Sequence, residues 1–258
     1  MTLPCFDLSG RTAVVTGAGK GLGQAFAKAL AASGASVLGI SRNRPDLEKL
    51  KDEIGAAGGK FDFFLADILD EPAIREAAGF CLSRFGPPDA LVNNAGLGRV
   101  NKPFEEITTE EWRRTVDNNL TGTFICSKYF GLEMIKRKKG KIVNLASMSG
   151  IIANKGVHCG PYEVSKLGIV ALTRSLASEW CGHGITVNAL APGYIATKRN
   201  SEFFAAHPDF TREAVSRIPV GRIPVPDEIA GAMVFLCSDA SDYMNGAVLV
   251  LDGGYTVW

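Results

Sequence analysis

The chain has 258 residues, with 28 Lys and Arg against 27 Asp and Glu, a formal net charge of +1. That near-balance excludes a protein built mainly to grip nucleic acid or an anionic membrane. Hydrophobic residues make up 46% and charged residues 21%, which excludes wholesale disorder. Six cysteines and three histidines show no C-x-x-C pair and no zinc-ligand spacing, so no metal site is expected and the thiols read as free in a reducing compartment. The N-terminal MTLPCFDLSGR lacks the basic start and apolar stretch of a signal peptide, and no apolar run nears the ~18 residues of a membrane span. A cytoplasmic protein is expected.

Short apolar runs alternate with longer helical patterns along the chain. Strands are predicted over 12–16, 36–40, 61–65, 90–93, 141–145, 185–189 and 247–251. Their near-continuous apolar character is that of strands buried on both faces. Between the first two, residues 23–33 are rich in Ala and in i,i+4 apolar pairs, with Gly34 as a stop. Thr108 and Glu111 fit a capping box that opens the helix carrying Trp112. The alternation implies one α/β domain over 1–258, a Rossmann-like doubly wound parallel sheet of about seven strands with helices on both faces.

The first strand ends in Thr16, Gly17, Ala18, Gly19, Lys20, Gly21, Leu22 and Gly23, and a helix follows. Such a turn lets backbone N–H groups and the positive end of the helix meet a pyrophosphate. Cofactor choice is read at the end of the second strand. There the chain runs Ser41-Arg42-Asn43-Arg44, with no carboxylate. Arg42, Ser41 and Lys20 are all compatible with a 2′-phosphate, so NADP(H) is favoured and NAD(H) is the alternative.

Tyr162 and Lys166 stand four residues apart, on one face of a helix. A nearby ammonium stabilises phenolate, so such a Tyr can exchange a proton with a substrate oxygen. Upstream, a buried strand delivers Ser147 at its C-terminal end, where a hydroxyl can hold a carbonyl oxygen. The basic run 136–141 reads as cations at a helix C-terminus, with Gly140 as its cap, and not as a nucleic-acid site.

With these motifs the chain resembles the short-chain dehydrogenase/reductase family. The matching features run in order from the Thr16–Gly23 turn through Asp67, the segment Asn93-Asn94-Ala95-Gly96, Asn119, Ser147, Tyr162, Lys166, Pro192-Gly193 and Thr197 to Asp252-Gly253-Gly254. The resemblance implies Tyr162 as general acid/base and Ser147 as holder of the substrate oxygen. Lys166 would bind the nicotinamide ribose and lower the Tyr pKa, and Asn119 would keep a water in a proton relay. Asp67 would bond adenine, with Ile68 beside it. Asn93 would support the cofactor-side loop, and Asn94, Ala95 and Gly96 would border the cofactor. Pro192, Gly193, Ile195 and Thr197 would line the nicotinamide pocket.

Two departures from the family pattern stand out. Ala146 replaces a common second Ser, and the stretch between Ser147 and Tyr162 is slightly long. That loop and the segment after Thr197, which forms a mobile lid in the family, should face the substrate. Ser149, Asn154, His158, Tyr194 and Phe203 are the expected substrate contacts. Similarity to gluconate, deoxygluconate and polyol dehydrogenases, and to NADPH-dependent carbonyl reductases, implies a small sugar, sugar-acid or polyol-like substrate. A 3-oxoacyl-carrier-protein reductase, using Arg99 and Lys102 toward an acidic carrier, is one alternative reading. A non-catalytic nicotinamide sensor is another. The resemblance also implies a homotetramer or dimer joined through long helices at about 110–136 and 162–181. Tyr255 to Trp258 are expected to pack on a neighbouring subunit or over a pocket.

Overall fold

The computed structural model describes residues 3–158 and 160–257. Seven parallel strands form one sheet in the order β3-β2-β1-β4-β5-β6-β7. They are β1 (Thr12–Thr16), β2 (Ser36–Ser41), β3 (Lys60–Leu65), β4 (Ala90–Asn93), β5 (Gly140–Leu145), β6 (Ile185–Pro192) and β7 (Val248–Leu251). The helices are α1 (Gly21–Ala32), α2 (Arg44–Ala56), α3 (Glu71–Phe85), α4 (Thr109–Val116), α5 (Gly122–Arg137), α6 (Pro161–Trp180), α7 (Lys198–Ala206), α8 (Pro208–Ser216) and α9 (Pro226–Cys237).

The strands are apolar throughout because successive residues feed two different cores. Val15, Val37, Val92 and Val143 face one side and pack with Phe26 and Leu30 of α1, Leu47 and Leu50 of α2, and Met233 of α9. Val14, Leu38, Leu91 and Ile142 face the other and pack with Ile74 of α3 and with Phe130 and Met134 of α5. Phe26 and Phe130 are fully buried, each adding roughly 1.5–3 kcal/mol over exposure. The order reverses between β1 and β4, which run from a common centre to opposite edges. Their C-terminal ends open a crevice there, the place where doubly wound sheets bind ligands.

The predicted strands appear, β1 and β4 with the expected ends and the others with end shifts of one to three residues, the largest at β6, which continues to Pro192 beside Leu251. The capping box is present: Thr108 Oγ1 accepts from Glu111 N at 3.2 Å and Glu111 Oε2 accepts from Thr108 N at 3.0 Å. Two expectations need correction. The helix predicted over 110–136 is not continuous; a π turn at Asp117–Thr121 separates α4 from α5. Gly140 does not cap α5. Lys138 does so, in the left-handed region at φ 52°, and Gly140 is the first residue of β5. Gly140 serves packing instead, since a Cβ there would sit 2.5 Å from Met134 Sδ. Lys141 in the same run is buried and paired with Asp242 at 2.8 Å.

Candidate active site

The turn after β1 has the shape of a phosphate cradle. Gly17 and Gly21 hold φ of +66° and +58°. A Cβ on Gly23 would lie 2.2 Å from Gly17 O, so helix and turn touch backbone to backbone. Lys20, the N-cap of α1, makes no side-chain cap bond, and the first turn carries no acid. The first backbone donors of α1 thus have no side-chain cap among the described residues, which fits a pyrophosphate. Asn94 braces the turn, its Nδ2 donating to Thr16 O at 2.9 Å and Gly17 O at 3.2 Å. Thr197 approaches from the other side, its Cγ2 3.4 Å from a Cβ built on Gly21. Asn93 does not brace this loop. Its amide donates to Ser127 Oγ at 2.9 Å and Asn144 Oδ1 at 2.8 Å, tying β4 to α5 and β5.

At the end of β2, Arg42 pairs with Asp67 at 3.1 Å and Lys20 with Asp46 at 3.0 Å. Asp46 was missed by sequence reading, which looked for an acid on the strand. It sits in the first turn of α2, and its Cβ is 3.0 Å from a Cβ built on Gly19. Ser41 Oγ lies 3.7 Å from the same point. Both cations are mostly exposed, and such surface pairs contribute at most ~1 kcal/mol, so a phosphate can displace their partners. Asp67 Oδ1 also accepts from Leu69 N at 3.0 Å, and Ile68 is buried behind it against Gly122.

A cleft of about 220 Å³ lies at the C-terminal ends of β5 and β6. Ser147, Tyr162, Lys166, Pro192, Gly193, Ile195 and Thr197 all line it. Ser147 follows β5, and its Oγ accepts from Ser149 N at 3.1 Å. That leaves its hydroxyl proton for another acceptor. Lys166 is buried under the site, its Nζ 5.7 Å from the Tyr162 ring centre and 2.6 Å from Leu145 O. Burial pulls its ammonium down to about 8. Asn119 is fully buried in the π turn. It exchanges bonds with Leu97 N and Leu97 O at 2.6 and 3.2 Å and donates to Ser165 Oγ at 2.9 Å. It thereby clamps the loop after β4 to α6, where Gly96 lies between Asn119 and Lys166.

Of the expected substrate contacts, Ser149, Asn154 and Tyr194 line the cleft. His158 and Phe203 do not. His158 is exposed on the loop, and Phe203 stacks on His207 at 4.2 Å and edges onto Phe210 at 5.5 Å, outside the wall. Leu22, Gly98, Arg99, Leu145, Ala146, Met148 and Asn200 also line it. Met148 and Asn200 belong to the loop and the segment expected to face the substrate, while Gly98 carries no signal in the sequence. Arg99 lies over the rings of Tyr194 and Phe210 at 5.8 and 5.9 Å and has no carboxylate partner among the described residues. Tyr255 is buried edge-on to Tyr194 at 5.7 Å, while Trp258 lies outside the described residues.

A larger cleft, about 690 Å³, lies at the opposite ends of the strands. There Arg11 pairs with Asp239 and Lys141 with Asp242.

A family model described as enoyl-(acyl carrier protein) reductase matches residues 17–256. The chain belongs to the short-chain dehydrogenase/reductase family. It is 42% identical over 253 residues, 98% of each chain, to a galactitol 2-dehydrogenase (L-tagatose-forming) from Cereibacter sphaeroides. It is 38% identical over 252 residues to a gluconate 5-dehydrogenase from Gluconobacter oxydans, covering 98% of this chain and 97% of that one. The solved structure of a gluconate 5-dehydrogenase from Burkholderia cenocepacia, in complex with NADP and tartrate, superposes with a TM-score of 0.93 at 34% identity, covering 98% of both. This short-chain dehydrogenase/reductase is thus an oxidoreductase with an NAD(P) cradle, and among its described residues no helix is long and apolar enough to cross a membrane.

Proposed function

We propose that this enzyme moves hydride between NADP(H) and a secondary alcohol or ketone of a small polyhydroxylated substrate, a polyol or sugar acid. The observation that carries the reading is the meeting of Ser147, Tyr162 and Lys166 on one polar cleft beside the glycine turn. The Thr16–Gly23 turn would hold the pyrophosphate, Asp67 and Ile68 the adenine end, and Pro192, Gly193, Ile195 and Thr197 the nicotinamide end. The bound cofactor supplies the hydride acceptor or donor.

Ser147 donates its free hydroxyl proton to the substrate oxygen and fixes the reacting carbon. Tyr162 takes the alcohol proton in oxidation and returns it in reduction. Lys166, an ammonium held by Leu145 O, favours the Tyr162 phenolate and keeps two N–H groups for the cofactor ribose. Asn119 keeps the wall behind Lys166 closed and stands on its proton path to solvent.

Names of relatives support the substrate class, since galactitol and gluconate are both polyhydroxylated. Tartrate in the related complex is a hydroxy dicarboxylate, and the Arg99 guanidinium at the cleft, which has no carboxylate partner among the described residues, suits a carboxylate of that kind. Arg99 faces the cleft and Lys102 is bound to Glu111, so neither remains for an acidic carrier protein. A sensor would have no use for the assembled Ser147, Tyr162 and Lys166.

Titration of NADPH and NADH by nicotinamide fluorescence tests the cofactor half. NADPH is expected to bind at least about tenfold tighter, and Arg42→Ala to remove most of that difference. Equal or tighter NADH binding overturns it and assigns Asp46 the ribose hydroxyl. A panel of hexitols and aldonates tests the substrate half, which fails if none is oxidised with either cofactor.

A further inference from the structure

Glu163, next to Tyr162 in α6, fixes which way round the Asn154 amide sits. Asn154 is buried on the wall of the cleft. Its Nδ2 donates to Glu163 Oε1 at 2.8 Å and to Ser149 Oγ at 2.8 Å, and its backbone N donates to the same Glu163 Oε1 at 2.9 Å. Both amide hydrogens are therefore used. A carboxylate has only lone pairs to offer, so the atom facing Glu163 must be the nitrogen. The amide cannot turn round without setting oxygen against oxygen. Asn154 Oδ1 is left buried with no hydrogen-bond partner among the described residues, and a buried orphan acceptor is a rare feature that asks for a donor.

We infer that Glu163 is a positioning residue that locks Asn154 as a hydrogen-bond acceptor toward the cleft, so that the site selects a substrate carrying a hydroxyl donor at that point. This rests on the polyol or sugar-acid reading above. Ser149 adds the complementary group. Its oxygen already accepts from Asn154, so its own hydroxyl proton remains to donate. Acceptor and donor side by side, next to the groups that grip the reacting oxygen, match a hydroxyl on a carbon near the reacting one. A plain ketone or a deoxygenated chain would leave Asn154 Oδ1 unmatched, and sites built to bond a hydroxyl reject analogues that lack it. Glu163 touches neither substrate nor cofactor in this scheme. On the helix it is turned about 100° from Tyr162, toward the loop rather than the cleft.

The test compares each accepted hexitol or aldonate with its monodeoxy analogues, reading kcat/KM ratios. In the wild-type enzyme one parent-to-deoxy ratio is expected at about tenfold or more, carried mainly by KM. Glu163→Gln offers both an oxygen and an N–H, so the Asn154 amide can reverse, and the ratio is expected to fall below about threefold. Asn154→Ala, which removes the acceptor, should collapse the same ratio at the same carbon. The ratio is the readout because general loosening of the loop lowers both members alike. NADPH binding identifies folded variants, and Glu163→Ala replaces the Gln variant if that one does not fold. An unchanged ratio in a folded Glu163 variant, or in Asn154→Ala, overturns the inference while leaving the reaction class intact. A flat ratio for every deoxy analogue in the wild type does the same. Wild-type enzyme that turns over no member of the panel overturns the substrate reading, and the inference with it.

Discussion

Lys166 is a residue where activity and stability pull in opposite directions. Its cation is buried without a carboxylate partner, held by Leu145 O alone among the described side-chain bonds. Replacing it with an apolar chain of similar length should relieve the fold. Lys166→Met is expected to abolish turnover and to stabilise the free protein at pH 7 by about 2 kcal/mol, raising Tm by several degrees. The pH dependence has a definite sign. Burial holds folded Lys166 down at about 8, against 10.5 for the ordinary side chain. Between those values the unfolded chain keeps a proton that the folded one has shed, so stability from this group rises with pH across that window. Below pH 8 the cost of the buried ammonium is fully present. Thermal melts of both proteins at pH 7 and 9.5 check this. The gap between them must shrink at the higher pH; a constant gap rejects the assignment. Ser147, Tyr162 and Lys166 were legible in the sequence because their spacing along one strand end and one helix is itself the geometry. Asp46 was not, because a chain crossing brings it to Gly19 and no local pattern records a crossing; for the same reason Arg99 was legible only as a contact for an acidic carrier and not as a cation over Tyr194.

At the scale of elements, the glycine turn and α1 form a backbone-to-backbone joint with no room for a methyl group at Gly23. Gly23→Ala is expected to weaken NADPH binding by more than about tenfold and to lower stability by about 1–3 kcal/mol, through displacement of the turn. Gly79, exposed in the middle of α3, is the contrast. A Cβ there meets nothing within 4 Å. Gly79→Ala should stabilise by about 0.5–1 kcal/mol and leave cofactor affinity alone. Denaturant unfolding and fluorescence titration of both variants distinguish a glycine required by contact from one that is merely present. The strands were readable because two-faced burial writes an unbroken apolar run. The break between α4 and α5 was not, because a π turn follows from a tertiary demand: Asn119 reaches Leu97 and Ser165 at once. Such bulges occur mainly at functional positions. Residues 198–204, expected as a mobile lid, lie in α7, and Phe204 packs on Tyr194 together with Phe210 of α8.

At the scale of the whole molecule, α5 and α6 present Phe124, Leu132, Val164 and Leu167 to the surface, each more than two-fifths exposed. A cluster of large apolar side chains on one face marks an association surface, and we propose that a second copy of the chain covers it. Leu167→Glu is expected to shift the sedimenting species to smaller mass; an unchanged mass places the interface elsewhere. The sheet order has another consequence, felt before any copy is finished. β1 is an interior strand of the completed sheet, third in the order, and joins β4 through Ala13–Ala90, Val14–Leu91 and Val15–Val92. A ribosome releases β1 long before β4, with roughly 4–15 s between them at usual rates of synthesis. Throughout that interval a future interior strand is an edge, apolar on both faces and unpaired along the side that β4 will take. Nascent chains on one messenger can mispair there, so this oxidoreductase is most vulnerable to aggregation while it is being made.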